Sequence, residues 1–253
     1  AVCSRERARP RGAHGGAHSG ANRGEVLPMT TTTLTFYRTA IGKKVVMAVT
    51  GFIVFGFVVA HMIGNLQIYL GPERLNAYAE LLQGLGGFLW VLRGVMLVAI
   101  ALHIWSAAAV TLQNWGARPD GYAVQRYRET SYAARTMWWG GPIIALFVLY
   151  HLLHFTTGHV HPTAGAFDKA DVFNNVVQGF QVWWASAIYI VASFLVAVHL
   201  YHGVWSMLQT IGAAHPKYNL WRRVLAVGFA VVVGAGNISM PVAVLTGLVE
   251  PAV

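Results

Sequence analysis

The chain has 253 residues, of which 56% are hydrophobic and only 11% are charged; its formal net charge is +9 and its mean hydropathy is +0.51. A soluble domain carries about 25% charged residues, so this composition excludes a soluble globular protein and predicts an integral membrane protein. The single cysteine, Cys3, excludes an intrachain disulfide and a zinc or iron–sulfur site built from several cysteines of this chain.

The first 28 residues form a basic leader that is rich in Gly and Ala and contains five arginines. This leader lacks an apolar core of signal-peptide length, and its composition predicts disorder. The stretch MTTTTLTFYR from Met29 is typical of an authentic start. We therefore expect residues 1–28 either to lie outside the native chain or to form a basic arm at the membrane surface.

Residues 29–253 contain five apolar runs long enough to cross a bilayer as helices, which takes about 20 residues each. They predict an all-α membrane domain with spans at 45–69, 88–113, 137–157, 182–210 and 222–249. The fifth run also contains Gly234, Gly236, Asn237 and Pro241, so we expect that helix to bend.

Basic residues are concentrated on alternate sides of the predicted spans. They are frequent before span one, between spans two and three, and before span five, whereas the other loops hold only Arg74 and Lys169. The positive-inside rule therefore predicts a cytoplasmic N-terminus and an external C-terminus. The same bias accounts for the net charge, so nucleic-acid binding is not predicted.

Six histidines lie within the spans, where ionisable residues are rare and usually functional: His61, His103, His151, His154, His199 and His202. A lone histidine in a span is commonly a hydrogen-bonding residue at a helix interface. Here the first four spans each carry at least one, which favours a shared function.

Depth in the membrane sorts four of these histidines into two levels. Spans one and three run outward, and His61 and His151 lie about 9 and 7 residues before their outer ends, roughly 10 to 14 Å below that surface. Spans two and four run inward, and His103 and His199 lie about 12 or 13 residues before their inner ends, roughly 18 to 20 Å from that surface. An outer pair and an inner pair are therefore predicted.

Two such pairs match the needs of two six-coordinate haems, because each iron takes one imidazole from either side of the macrocycle. Small residues near these histidines would let a flat porphyrin approach the backbone, or would simply allow close helix packing: Gly56, Gly64, Gly94, Ala99, Ala197 and Gly203.

Four strings on spans one to four carry a resemblance to a known family: VVAHMIGN, IALHIWS, FVLYHLLHF and HLYHGVWS. Their order, the H-x-x-x-N of His61 to Asn65 and the H-x-x-x-G-x-W-S of His199 to Ser206 resemble the dihaem cytochrome b membrane subunit of succinate:quinone oxidoreductases, that is, succinate dehydrogenase or fumarate reductase. The resemblance covers about Phe36 to Leu248. It implies two haem b groups, an outer one on His61 and His151 and an inner one on His103 and His199.

The resemblance also implies a membrane anchor that docks a flavoprotein subunit and an iron–sulfur subunit on the cytoplasmic side of a bacterial inner (plasma) membrane. Electrons would pass from the iron–sulfur subunit to a membrane quinone, expected to be menaquinone, or in the reverse direction in a fumarate reductase. The chain shows no nucleotide fold, flavin site or cysteine cluster, so it would be a non-catalytic electron-transfer subunit.

Two histidines lie three residues after a predicted ligand, hence on the same helix face: His154 after His151, and His202 after His199. Either is a candidate to hydrogen-bond a haem propionate, a quinone or a neighbouring helix. His154 is also the alternative ligand on span three.

Cations at both membrane surfaces are candidates for cofactor binding, because charge-assisted bonds to carboxylates favour Arg and Lys. Arg38 and Lys43 lie at the inner end of span one, where ordinary topology-setting charge is an equal explanation. Arg93 lies within span two and could instead extend to the outer surface. Glu73 and Glu80 on the outer loop are candidates for proton exchange with a quinone.

Three other functions remain open from the sequence. A haem-free anchor of the same complex would use the histidines as interhelical hydrogen bonds. A cytochrome b subunit of another membrane dehydrogenase would keep the haems and change the soluble partner. A transporter is disfavoured, because none of the nine Asp and Glu residues lies inside a predicted span.

Overall fold

The computed structural model describes residues 36–117, 132–162 and 167–252; the predicted leader lies outside them. This part of the chain contains no strand, and the α-helices that lie wholly within it are α1 (Ala40–Asn65), α2 (Pro72–Gln83), α3 (Gly87–Gly116), α4 (Tyr132–His151), α5 (Val172–Gln181), α6 (Trp183–Thr210) and α7 (Asn219–Leu245). Short 3-10 turns follow α1 and precede α7, and a π-helical turn, Leu152–Thr156, extends α4. The all-α prediction is confirmed.

Five of these segments are long and apolar enough to cross a membrane: Ala40–Leu70, Gly87–Gly116, Tyr132–Thr156, Trp183–Thr210 and Pro216–Leu245. They match the five predicted spans. Most begin several residues before the apolar run, because polar residues extend the first turn. At α1, for example, the Thr39 side chain caps the helix by accepting from the Gly42 amide at 3.0 Å.

The fifth span is a continuous helix through Pro241. Its two central glycines are explained by close packing: a Cβ on Gly234 would lie 2.9 Å from the Ala197 Cβ, and one on Gly236 would lie 2.5 Å from the Met62 sulfur. The Asn237 amide donates to the Val233 carbonyl at 2.8 Å, within the same helix. Small residues therefore let α7 approach α6 and α1.

The helix order around the bundle determines which side chains can meet. Helices α3, α1, α6 and α4 pack in that order, each against the next, and α7 packs against α6 and α1. Two pairs therefore face each other across the diagonals, α1 with α4 and α3 with α6, and neither diagonal pair packs closely along its length. Large apolar side chains such as Leu97 and Trp105 are exposed, as lipid-facing positions require.

One end of the bundle, here called the basic end, comprises the start of α1, the ends of α3 and α6, and the start of α7. Lys43 donates to the Gln113 amide oxygen at 3.0 Å and links α1 to α3. Arg222, the first residue of the predicted fifth span, is buried: its guanidinium lies 4.2 Å from the Trp205 ring centroid and donates to the Trp205 carbonyl at 3.3 Å. This arginine therefore joins α7 to α6.

The opposite end, here called the capped end, is covered by α2, α5 and residues 246–252. The sequence predicted loops here, but the structure has two short helices. Leu75 of α2 and Phe173 and Val177 of α5 enter one core with the membrane-embedded Tyr189 and Met240. Helices this short are marginal alone, so burial of one face against the bundle stabilises them.

Polar side chains hold this cap together. The Asn76 amide donates to the Asp171 carboxylate at 3.0 Å, and its oxygen accepts from the Phe173 amide at 2.9 Å. Asn174 bonds both Asp171 and the backbone of Ala252. The network therefore joins α2, α5 and the segment after α7.

Asp171 also caps α5 by accepting from the Asn174 amide at 3.2 Å. Burial raises the pKa of this carboxyl, but the hydrogen bonds from Asn76 and Asn174 together outweigh burial, so its pKa lies below the usual value. A lowered folded-state pKa stabilises the fold at neutral pH, and this contribution is lost as the pH falls through that pKa.

Replacing Asp171 with alanine is expected to destabilise the cap by about 1 kcal/mol, the typical cost of a lost N-cap. Amide hydrogen exchange of α5 should accelerate at pH 7. The difference between the variant and the wild type should shrink as the pH falls through the lowered pKa of Asp171, because the wild-type carboxyl is then protonated too. The matched control is Glu80→Ala, which removes an exposed carboxylate of α2. Equal exchange in Asp171→Ala and the wild type at pH 7 would contradict the capping role.

Candidate cofactor site: two histidine pairs

The histidine pair nearer the basic end joins the diagonal helices α3 and α6. The ring centroids of His103 and His199 are 6.2 Å apart, with an interplanar angle of 66°. His103 Nδ1 lies 3.1 Å from the Met47 carbonyl and 3.5 Å from the Thr50 hydroxyl. A carbonyl only accepts, so we assign the ring proton to Nδ1, which leaves Nε2 as the unprotonated nitrogen.

His199 has no hydrogen bond from Nδ1, although that atom is buried. An unpartnered buried imidazole nitrogen is costly, especially in a membrane. The cost is tolerable if the other ring nitrogen gains a strong ligand.

The pair nearer the capped end joins the other diagonal, α1 with α4. The ring centroids of His61 and His151 are 5.8 Å apart, with an interplanar angle of 86°. His151 Nδ1 lies 3.2 Å from the Tyr189 hydroxyl. His61 Nε2 lies 3.1 Å from the Asn65 amide nitrogen, so binding a metal through His61 Nε2 requires that amide to turn away.

The two pairs lie at different depths, as the sequence predicted. His103 contacts α1 at Met47 and Thr50, whereas the other pair includes His61, 14 and 11 residues further along α1. At 1.5 Å per residue the levels are roughly 16 to 21 Å apart. The structure therefore brings together the same partners that the depth argument paired.

Both pairs have a spacing that suits one metal between two imidazoles. A metal–nitrogen distance of about 2 Å on each side, with about 1 Å from nitrogen to ring centre, gives a centroid separation of about 6 Å. Among the described residues, no three His, Cys, Asp or Glu side chains converge on a metal. Two protein ligands suit a metal whose other four positions are taken by a planar macrocycle, so the donor set fits haem.

Three of the predicted small residues leave space beside the helices. A Cβ on Gly56, Gly94 or Gly203 would meet nothing within 4 Å. In contrast, the Tyr78 ring of α2 fills the space beside Gly64: a Cβ on Gly64 would lie 2.5 Å from this ring. Gly64 is therefore explained by packing of the cap.

Two residues of this site were not predicted from the sequence. Gly51 lets the His103 ring approach α1, since a Cβ there would lie 3.1 Å from His103 Cε1. The Tyr189 hydroxyl contacts both His151 of α4 and His154 of the π-helical turn that extends α4. Neither residue forms a motif, so nothing in the sequence separates it from the many other glycines and tyrosines.

His154 is fully buried, and it belongs to the capped-end core. Its Nδ1 lies 3.1 Å from the Tyr189 hydroxyl, and its ring stacks on Phe155 at 3.9 Å. Nε2 has no hydrogen-bond partner and lies 3.0 Å from where a Cβ on Gly179 would be. These contacts describe an interhelical polar residue. His202 is half-buried, and its ring makes no hydrogen bond within the described part of the chain.

The predicted cofactor-binding cations lie near the two ends of the bundle. Arg38 is exposed just before α1, and Lys43 bonds Gln113. Arg93 is exposed near the start of α3, with its guanidinium 4.9 Å from the Trp90 ring centroid. Within the described residues, none of the three contacts a paired histidine, so their roles stay predictions.

The fold and these pairs define a multi-pass, all-α membrane protein with two histidine pairs between its helices. Comparison with models of protein families, with curated proteins and with solved structures found no match to this chain. The geometry of these two histidine pairs and the sequence motifs are therefore the basis for assigning a function.

Proposed function

We propose that this chain is the cytochrome b membrane-anchor subunit of a succinate dehydrogenase or fumarate reductase. In this proposal it holds two b haems and passes electrons between an iron–sulfur subunit and a membrane quinone. The basic end faces the bacterial cytoplasm and its soluble partners, and the capped end faces outward.

The observation that carries the proposal is the pairing across both diagonals of one bundle. Two imidazoles that bind one metal have ring centroids about 6 Å apart. Here both ring-centroid distances, 5.8 and 6.2 Å, are close to that spacing. The loose packing along each diagonal supports the proposal, because a macrocycle between two helices must hold them apart.

In this proposal the protein positions the ligands and excludes water. The Met47 carbonyl orients His103, and the Tyr189 hydroxyl orients His151. When bound, each haem would supply reversible one-electron transfer. In this proposal the two haems would lie at levels roughly 16 to 21 Å apart, which is more than half of a bilayer core about 30 Å thick.

The choice of partner subunits rests on the sequence motifs and on charge. The exposed Arg38 and Lys44 lie at the basic end, where a soluble subunit would dock. A cavity of about 330 Å³ opens at this end, lined by Ile41, Lys44, Met47, Ser206, Gln209 and Thr210. Because Met47 also bonds His103, this cavity adjoins the pair that would receive electrons first.

A second candidate is a haem-free anchor of the same complex. It is favoured by the hydrogen bonds that the histidines already make between helices, His103 to Met47 of α1 and His154 to Tyr189 of α6. Interhelical bonds of this kind contribute about 1 kcal/mol each, enough for a structural role. The unpartnered Nδ1 of His199 does not separate the two candidates, because a metal on Nε2 would also leave the Nδ1 proton without an acceptor.

Purification of the complex through a tag on this chain tests both candidates. The measurements are a reduced-minus-oxidised spectrum, haem quantitation per chain, and identification of the co-purifying subunits. Two b haems with a flavoprotein and an iron–sulfur subunit active on succinate or fumarate are expected. A colourless complex would leave the haem-free anchor, and two haems with another dehydrogenase would change the assigned partner.

Replacing His154 with alanine is expected to leave both haems bound, because its Nε2 lies against Gly179 and its Nδ1 bonds Tyr189. The fold should lose about 1 kcal/mol for the hydrogen bond, plus the cost of the cavity left by a fully buried ring. Haem content per chain and thermal stability in detergent are the measurements. If His154→Ala bound one haem per chain and His151→Ala bound two, His154 would be the ligand in place of His151.

A further inference from the structure

Tyr189 of α6 is the residue that connects the two histidines of α4 and its π-helical extension. Its side chain is 6% exposed, and its hydroxyl lies 3.2 Å from His151 Nδ1 and 3.1 Å from His154 Nδ1. Its ring also makes edge contacts with Phe147 and Phe180, at 5.1 and 5.0 Å between centroids. The hydroxyl is therefore held between two imidazole nitrogens by packing on both sides.

One hydroxyl between two ring nitrogens allows only a limited set of proton positions. The hydroxyl has a single proton to donate, and its oxygen can accept. When both imidazoles are neutral, two arrangements satisfy both bonds. In the first, His151 Nδ1–H donates to Tyr189, which donates to His154 Nδ1; in the second, every donor and acceptor is reversed.

The two arrangements differ at Nε2, the other ring nitrogen of His151. In the first arrangement His151 Nε2 carries no proton and can bind a metal. In the second arrangement Nε2 carries the proton and is blocked. The bond to Tyr189 therefore decides whether His151 is available as a ligand.

We propose that Tyr189 is a positioning residue for His151. Its oxygen accepts a hydrogen bond from His151 Nδ1–H, and its hydroxyl donates a hydrogen bond to His154 Nδ1. The ring of His151 is thereby held with Nε2 unprotonated. This inference rests on the proposed function, since it assigns the first arrangement from the role of His151 as a haem ligand. His154 then serves as the fixed acceptor that keeps the tyrosine proton away from His151.

The surroundings of His154 hold its ring in one orientation. The ring is 0% exposed, stacks on Phe155 and lies against Gly179, where no larger residue would fit without displacing it. A ring confined in this way cannot rotate to offer its other nitrogen. The immobile His154 ring thus orients the Tyr189 hydroxyl, and this hydroxyl orients His151.

A hydrogen bond from a ligand N–H to an oxygen makes the imidazole a stronger donor, which favours the more highly charged, oxidised metal. Removing the acceptor should therefore raise the midpoint potential of the haem held by His151. Loss of such a bond typically weakens metal binding about 10- to 100-fold. A tenfold loss confined to the oxidised form corresponds to about 59 mV for one electron.

The test is a spectroelectrochemical titration of the purified complex carrying Tyr189→Phe. The haem concerned is the one that His151→Ala removes. Its midpoint potential should rise by an amount that corresponds to at least a tenfold weaker binding of the oxidised metal, while the midpoint potential of the other haem should not change. The matched control is Tyr150→Phe. The Tyr150 hydroxyl is buried without a hydrogen-bond partner, and its ring lies 5.9 Å from the Tyr189 ring. An unchanged potential in Tyr189→Phe, or an equal shift in Tyr150→Phe, would overturn the proposal.

A second variant addresses loss of assembly in Tyr189→Phe. Incorporating 3-fluorotyrosine at position 189 keeps the shape and the hydroxyl but makes its oxygen a weaker acceptor. The same haem should again shift upward by a smaller amount, and no shift would overturn the proposal. Failure of the proposed function is distinguishable, because a wild-type complex without haem shows no titration, whereas a wrong role for Tyr189 leaves two normal titrations.

Discussion

Replacing either His103 or His199 with alanine is expected to remove the haem nearer the basic end and to leave the other in place. Replacing His61 or His151 should have the opposite effect. The reason is the pairing across diagonals: each variant deletes one of two imidazoles about 6 Å apart, and the remaining pair belongs to two other helices. Loss of a direct ligand costs far more than loss of a hydrogen bond.

Haem per chain and the spectrum of each variant are the measurements. Each of the four variants should retain one haem, and the retained spectra should fall into two classes that follow the two pairs. His159→Ala, which changes an exposed histidine at the capped end, is the control and should retain two haems. If His103→Ala and His61→Ala lost the same haem, the two-level arrangement would be wrong.

Quinone reduction in sealed vesicles is expected to respond to an imposed membrane potential. A quinone site near the capped end, where Glu73 and Glu80 of α2 are exposed, requires electrons to pass between the two levels. That passage covers roughly 16 to 21 Å of a hydrocarbon core of about 30 Å. Since a full crossing at 100 mV is worth about 2.3 kcal/mol per charge, the electron-transfer equilibrium should change by roughly tenfold.

The measurement is turnover with quinone at several imposed potentials of both signs. A water-soluble dye that takes electrons directly from the soluble subunits is the control, and its reduction should not depend on potential. Quinone turnover that is indifferent to potential would instead place the quinone at the basic end, beside Arg38 and Lys43. In that case electrons need not cross between the levels.

The pairing of His61 with His151 and of His103 with His199 was predictable because depth is a local property. Helix rise per residue is constant, so a position along a span converts directly into a height in the membrane. Two helices running in the same direction place histidines at equal heights when their distances from the span ends agree. The height of each histidine depends only on its own span and not on the neighbouring helices.

The roles of His154 and of the capped end could not be derived in the same way. His154 and His151 are three residues apart and share a helix face, so the sequence could not decide which of them pairs with His61 and which lies fully buried at the capped end. The α5 helix, Val172–Gln181, depends on burial of Phe173 and Val177 against the spans. Such burial is set by residues distant in sequence, including Ile68 and Val244.

What the sequence determined by itself is the class of protein, the five spans and the two levels of histidines, because hydrophobicity and helix rise add up along one segment. Only the tertiary structure decided which helices are neighbours in the plane of the membrane. It set the order of α3, α1, α6 and α4 around the bundle, the diagonals that the histidine pairs span, and the contact of Tyr189 with two imidazoles. These features depend on which faces of separate helices pack together. The helix contacts at Gly51, Gly64 and Gly234 set that packing, and no periodicity within a single span specifies the partner.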